Sequence, residues 1–296
     1  MAAPTRRAFA PAVLGRNIGR VFSRLGGVFG TAVAELGTWL LFSAKAIRFA
    51  ITDVVPDKQN RQQVFVHMSD IVVGAGAWVL GAGMVFVIFA MAFMGGATVG
   101  LQGFKGLQSI GAEPFVGLVG SFANVREITP IIAAIAIASQ MGASFTAELG
   151  AMRISDEIDA LEVMATSSLT YLVSTRLIAV VVVVIPLYLL ALFASFFGTR
   201  LVTTQLFGLS TGVYDYYFKI YLPNIDIFYS LVKAIVFAIV VTLIHCYYGF
   251  YASGGPVGVG IGVGRAIRMS LIVIVLINLF LSFVLWGAAG TVSLTG

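Results

Sequence analysis

Polar residues punctuate this chain at long intervals, and the stretches between them are long enough for membrane-crossing helices. After Asp70 an uncharged run extends from Ile71 to Phe104, enough for one helix through a hydrocarbon layer of about 30 Å. The pattern predicts spans at 71–94, 128–150, 176–198, 227–251 and 268–289, with Pro186 as a kink point in the third. Gly74, Gly76, Gly81 and Gly83 in the first would let a neighbouring helix approach closely. Residues 95–124 are Gly-rich and hold Lys105 and the pair Glu113-Pro114, so they are expected to fold back at the membrane surface.

The pattern before the first span differs. Arg16, Arg20 and Arg24 recur at i, i+4, i+8, with Ile18, Val21, Phe22, Leu25 and Phe29 opposite them. That spacing predicts a helix lying in the membrane surface; an Arg-rich targeting peptide is the alternative. Residues 28–55 are apolar but interrupted by Glu35, Lys45 and Arg48, which predicts a second interfacial or elbow helix. The expected organisation is an amphipathic cytoplasmic region at 1–66 and a five-span domain at 67–296, all-α and integral to the membrane. A cytoplasmic helix at about 154–165 belongs to the second.

Composition excludes a soluble class. Hydrophobic residues make up 59% and charged residues 10%, with a mean hydropathy of +1.00, whereas soluble domains carry about 25% charge. The net charge of +5 gathers towards one end, which suits anionic lipid rather than nucleic acid. Placing the amino terminus inside puts thirteen of the eighteen Lys and Arg residues in cytoplasmic segments, the orientation favoured by the positive-inside rule. Tyr214, Tyr216, Tyr217 and Tyr221 then lie on the outer side. Cys246 stands alone, so the chain makes no internal disulfide.

Candidate chemistry is sparse. No Lys follows a Gly, so the G-K-[ST] ending of a nucleotide-binding loop is absent. His67, His245 and Cys246 do not form a metal-ligand spacing. The glycines from Gly258 to Gly264 imitate a dinucleotide loop but join two spans and follow no strand, so they read as a hairpin loop. Two signals remain. Lys233 lies about two turns into the fourth span, and Arg126 with Glu127 opens the second from the same side. They either snorkel to the interface or form a polar collar with one positive group left for an acidic lipid head. Between spans two and three, Ser155 reads as a helix N-cap with Asp156 and Glu157 in the first turn. Ile158 and Leu161 would form an apolar ridge there, with Asp159 and Glu162 facing away; a solvated loop helix is the alternative.

The run Glu148 to Met164 resembles the signature of the MlaE/YrbE family of ABC-transporter permeases, E-L-G-x-M-[KR]-[VI]-[ST]-[DE]-[EQ]-I-D-A-L-x-x-M. Arg126-Glu127-Ile128-Thr129-Pro130 resembles the family's R-E-L-G-P, and Gly254 to Gly260 its G-G-P-x-G-V-G. The resemblance implies a dimeric five-span permease with an elbow helix. It further implies that Asp156, Glu157, Ile158, Asp159, Leu161 and Glu162 couple the chain to a separate cytoplasmic ABC ATPase, which would bind the ATP and Mg. The chain itself would hold no cofactor and catalyse nothing. Arg126, Glu127 and Lys233 would face the substrate cavity.

Ala165, Ser168 and Thr175 stand where most members have a glycine and two prolines, and Gln140 where an arginine is usual. Together with the basic amino-terminal extension, this resembles the actinobacterial YrbE proteins, which implies a non-identical second permease and Mce proteins as partners; a homodimer is the alternative. The substrates implied are hydrophobic: fatty-acid-like lipids, sterols or phospholipids, handled at the inner (plasma) membrane. From the residues alone, an ion-coupled secondary transporter and a structural membrane scaffold stay open.

Overall fold

The computed structural model describes residues 34–54, 56–73 and 83–287. The chain divides into two units, 1–45 and 46–296. In the first, residues 34–45 are helical; the Arg16, Arg20 and Arg24 stripe lies outside the described residues. The second begins with helical residues 46–54, whose last turn, Ala50–Val54, is a π turn. It continues through α1 (Lys58–Val73), α2 (Met84–Gln108) and α3 (Glu113–Ile154). Then come α4 (Glu157–Val163), α5 (Thr170–Leu206), α6 (Thr211–Ile220), α7 (Asn224–Phe250) and α8 (Gly255–Trp286). Among the described residues no strand occurs, and α2, α3, α5, α7 and α8 are long and apolar enough to cross a membrane.

Short connections make successive long helices antiparallel, so α1, α4 and the turn between α7 and α8 gather at one end and α6 at the other. At α3's 42 residues, a helix measures about 63 Å, twice the hydrocarbon thickness. Its first turns therefore reach beyond a bilayer, where they pack with α6 around Phe104, Val116 and Tyr214.

The span count agrees with the hydrophobic pattern, but the boundaries do not. The first span, where 71–94 was expected, runs over Met84–Gln108 among the described residues, outside which Gly74, Gly76 and Gly81 lie; the segment expected to fold back is helical on both sides of a short turn at 109–112. Glycine in a membrane helix can serve an interface rather than break the rod. A Cβ on Gly96 would collide with the Ser195 carbonyl of α5, and one on Gly198 with the Phe93 carbonyl of α2. Thr199 seals the contact by donating to Gly96 O at 2.7 Å. Gly96→Val is expected to cost about 1–3 kcal/mol through overpacking, visible as a lower melting temperature of the purified chain; an unchanged value would show that the α2–α5 contact is loose.

The other boundaries shift as well. The second and third spans extend to 113–154 and 170–206, with Pro186 inside α5, and the fourth is Asn224–Phe250. The fifth begins at Gly255 rather than 268. The glycine run expected to be a hairpin loop is thus the opening of α8; the reversal lies just before it, where Gly254 and Gly255 have φ of 91° and 69°. Pro256, in the first turn, lacks only an N–H that no helix would use there.

Candidate functional site: a polar cluster between three spans

The cluster begins with a missing donor. Pro130 has no N–H to offer the carbonyls one turn behind it, and residues Asn124–Ile128 widen into a π turn. Two side chains of α7 occupy the opening. Ser230 Oγ donates to Val125 O, and Lys233 Nζ donates to Arg126 O at 2.6 Å. The proline of the Arg-Glu-x-x-Pro motif thus creates the acceptors that α7 satisfies.

Asp226, Ser230 and Lys233 follow one another at i, i+4, i+7, on one face of α7, and all three are buried. Asn278, Ser282 and Trp286 follow one another at i, i+4, i+8 on one face of α8, the first two half-buried and Trp286 buried. Arg126 pairs with Asp226 through Nε at 2.9 Å and Nη2 at 2.7 Å, and Trp286 Nε1 donates to the other carboxylate oxygen at 2.9 Å. The Arg126 guanidinium also lies 4.2 Å from the Phe122 ring centre. Glu127 Oε1 accepts from Ser282 Oγ at 2.5 Å and from Lys233 Nζ at 3.4 Å, while its Oε2 accepts from Asn278 Nδ2 at 2.6 Å. Lys233 donates further to Ser282 Oγ at 2.7 Å.

Arg126, Glu127 and Lys233 do meet, as their spacing suggested, but their electrostatics differ from expectation. Lys233 is wholly buried rather than snorkelling, and Asp226, not among the expected residues, balances Arg126. Two cations and two carboxylates leave no net charge, so the expected surplus positive group is absent. Asp226 had a legible signal, its seven-residue spacing from Lys233.

At the opposite end, α3 and α4 are joined through Asp156, whose φ of 58° is left-handed. Asp156, not Ser155, occupies the N-cap position. Ser155 Oγ instead donates back to Ala151 O at 3.0 Å and to Glu157 at 2.9 Å. A hydroxyl at the end of one helix was free to bond backwards, and the residues alone did not show which helix would claim it. Ile158 turns into the packing between α4 and the foot of α3 and is buried; Leu161 is half-buried. The outward apolar tip is Val163, 88% exposed, and Met164, 66% exposed. Asp159 pairs with Arg153 at 2.6 Å, and Glu162 accepts from Ser168 Oγ at 2.7 Å.

Two of the family departures have local accounts. Ala165 adopts a φ of 58°, which glycine tolerates and alanine reaches at a cost of about 1 kcal/mol. Ser168 ties α4 to the start of α5, a bond proline could not make. Arg176 sits beside this region, paired with Glu148 at 3.0 Å. Burial, then the Arg176 charge, lowers the His67 pKa to about 4 against a weaker opposing pull from Glu148, so the imidazole on α1 is neutral at physiological pH. Among the described residues, no three His, Cys, Asp or Glu side chains gather as metal ligands would.

Comparison with known proteins gives this geometry a family. The model of Permease MlaE matches residues 73–284. A probable ABC transporter permease protein of Rickettsia bellii (strain RML369-C) is 33% identical over 65% of this chain and 74% of its own length. A probable ABC transporter permease protein of Synechocystis sp. (strain ATCC 27184 / PCC 6803 / Kazusa) is 32% identical over 62% of this chain and 70% of its own. The chloroplastic protein Trigalactosyldiacylglycerol 1 of Arabidopsis thaliana is 30% identical over 64% of this chain and 54% of its own. The match takes in the first four spans, nearly all of the fifth, the Arg-Glu-x-x-Pro turn and α4 together, and the chain belongs to the MlaE permease family.

Proposed function

We propose that this ABC transporter permease subunit moves a hydrophobic lipid past the polar cluster, driven by a separate cytoplasmic ATPase seated on α4. The observation that carries the reading is the exposed apolar tip, Val163 and Met164, on a short helix between two spans. Apolar side chains presented in water at a helix end have a reason to be there if a partner covers them. Leu161 and the charged residues Asp156, Glu157, Asp159 and Glu162 would rim that contact. ATP and Mg belong to the partner.

A second permease, of the YrbE type or another copy of this chain, completes the assembly in this reading. Gln140, Ser144 and Glu148 recur every four residues along α3 and are exposed, and polar groups inside a span face protein or water rather than lipid tails. The basic residues near α1 and α4 favour an inner-membrane orientation with the amino terminus in the cytoplasm. Mce-type proteins would then meet the α6 end. The name of the Arabidopsis relative, that of a diacylglycerol lipid, supports a lipid cargo.

Isolation of the tagged chain from its native membrane in mild detergent tests the assembly. A nucleotide-binding chain is expected to co-purify and to hydrolyse ATP faster when lipid is added. An ion-coupled transporter would instead come away without such a chain, and its transport would follow an ion gradient.

A further inference from the structure

The polar cluster is not equally open to all of its members. The side chains of Lys233 and Asp226 are 0% and 4% exposed, that of Arg126 is 17% exposed, and that of Glu127 is 41% exposed. The group that meets an incoming molecule is therefore an acid. Lys233 has three N–H donors, and all three are taken by Arg126 O, Glu127 Oε1 and Ser282 Oγ. Arg126 directs Nε and Nη2 to Asp226.

Acceptors remain on Glu127 and Asn278. A carboxylate offers about four lone-pair positions; Glu127 Oε1 takes two donors and Oε2 one, from Asn278. Asn278 must point its Nδ2 at that carboxylate, which turns its Oδ1 the other way, shielded from solvent and without a hydrogen-bond partner. A buried acceptor left unmatched is destabilising, and a donor from outside would relieve it. Towards the α4 end the same side of α8 continues with Val275 and Leu271, apolar and exposed, a surface on which a hydrocarbon body could lie.

We infer that Glu127 and Asn278 form the head-selecting end of a lipid site that takes a hydrogen-bond donor, a hydroxyl or an ammonium, and rejects an ionised acid. The inference rests on the reading that lipid passes the cluster, and it reverses the acidic preference expected from the two cations in the sequence. An ionised acid would bring a second negative charge against Glu127, find the Lys233 donors occupied, and leave Asn278 Oδ1 unmatched.

The test uses Trp286, whose ring lies 5.5 Å from Lys233 Nζ. The intact complex is purified into nanodiscs with Trp39→Phe and Trp78→Phe, so that Trp286 is this chain's only tryptophan, and the same complex carrying Trp286→Phe as well supplies the background from partner chains. Quenching is then measured with a brominated long-chain alcohol and with the fatty acid of the same chain length, at neutral pH. The alcohol is expected to quench at roughly tenfold lower concentration. Asn278→Leu should erase most of that advantage by weakening the alcohol alone. Glu127→Gln, which leaves the Lys233 charge in excess, should bring the acid level with the alcohol or ahead of it. Equal or tighter binding of the acid to the unaltered cluster overturns the inference, as does an alcohol-to-acid ratio that neither variant changes. If neither probe quenches Trp286 above background, the cluster lies outside the lipid path and the functional reading of this site falls with it.

Discussion

Asp226→Ala is expected to be the most destabilising truncation in the polar cluster, costing about 3–5 kcal/mol. The carboxylate is buried and accepts from Arg126 Nε and Nη2 and from the Trp286 N–H, so its removal takes the paired carboxylate away from a guanidinium inside the bundle. The measurement is the melting temperature and folded yield of the solubilised chain. A paired change, Arg126→Met with Asp226→Leu, should recover much of the loss, because the penalty comes from the lone charge rather than from losing an attraction. The Arg200–Asp215 pair offers a contrast: with side chains 44% and 39% exposed, its disruption should cost at most about 1 kcal/mol. Melting of Asp226→Ala at the wild-type temperature would show that Arg126 finds another anion or reaches water.

Changing the α4 tip should have the opposite profile, with folding intact and coupling lost. Val163 and Met164 are exposed, so Val163→Asp with Met164→Asp is expected to leave melting of the isolated permease unchanged. Burying apolar side chains of this size is worth about 1.5–3 kcal/mol each, and placing carboxylates in their positions should weaken ATPase docking by a hundredfold or more. Co-purification of the ATPase and lipid-stimulated hydrolysis are the readouts. Leu161→Ala should act in the same direction but more weakly, being half-buried already. Normal docking and hydrolysis in the double variant would remove α4 as the coupling surface.

Much of this architecture was legible in the sequence because membrane spans announce themselves by long uncharged runs, and five such runs gave the right number of crossings. Their ends were harder to read. Glycines such as Gly96 and Gly260 look like breaks when only propensity is considered; at Gly96 a neighbouring backbone lies where a side chain would be, while at Gly260 the helix simply continues through the glycine run. The polar cluster was half visible. Lys233 and the Arg126-Glu127 pair stood out as charges inside apolar runs, but for Asp226 a place at the start of a span, where an acid is ordinary, outweighed its seven-residue spacing from Lys233. Asn278 and Ser282 were hidden because an uncharged polar residue barely disturbs hydropathy. At α4 the helix was legible but the directions of its side chains were not: after the left-handed turn at Asp156, Ile158 lies inwards while Val163 and Met164 point out.

The length of α3 has a mechanical consequence. Glu127 and Ile154 belong to one helix, separated along its axis by about 40 Å at 1.5 Å per residue, so this part of α3 is a lever with α4 at one end and the Glu127 carboxylate at the other. Tilting such a rod by about 5° about its α4 end would swing Glu127 sideways by roughly 3.5 Å, more than the length of its hydrogen bonds to Asn278 and Ser282. A rotation small enough to leave the packing beside α4 nearly undisturbed could therefore unlatch the cluster at the far end. The π turn at Ala138–Gly142, midway along the shaft, is where that stroke would be absorbed if the lever is not stiff.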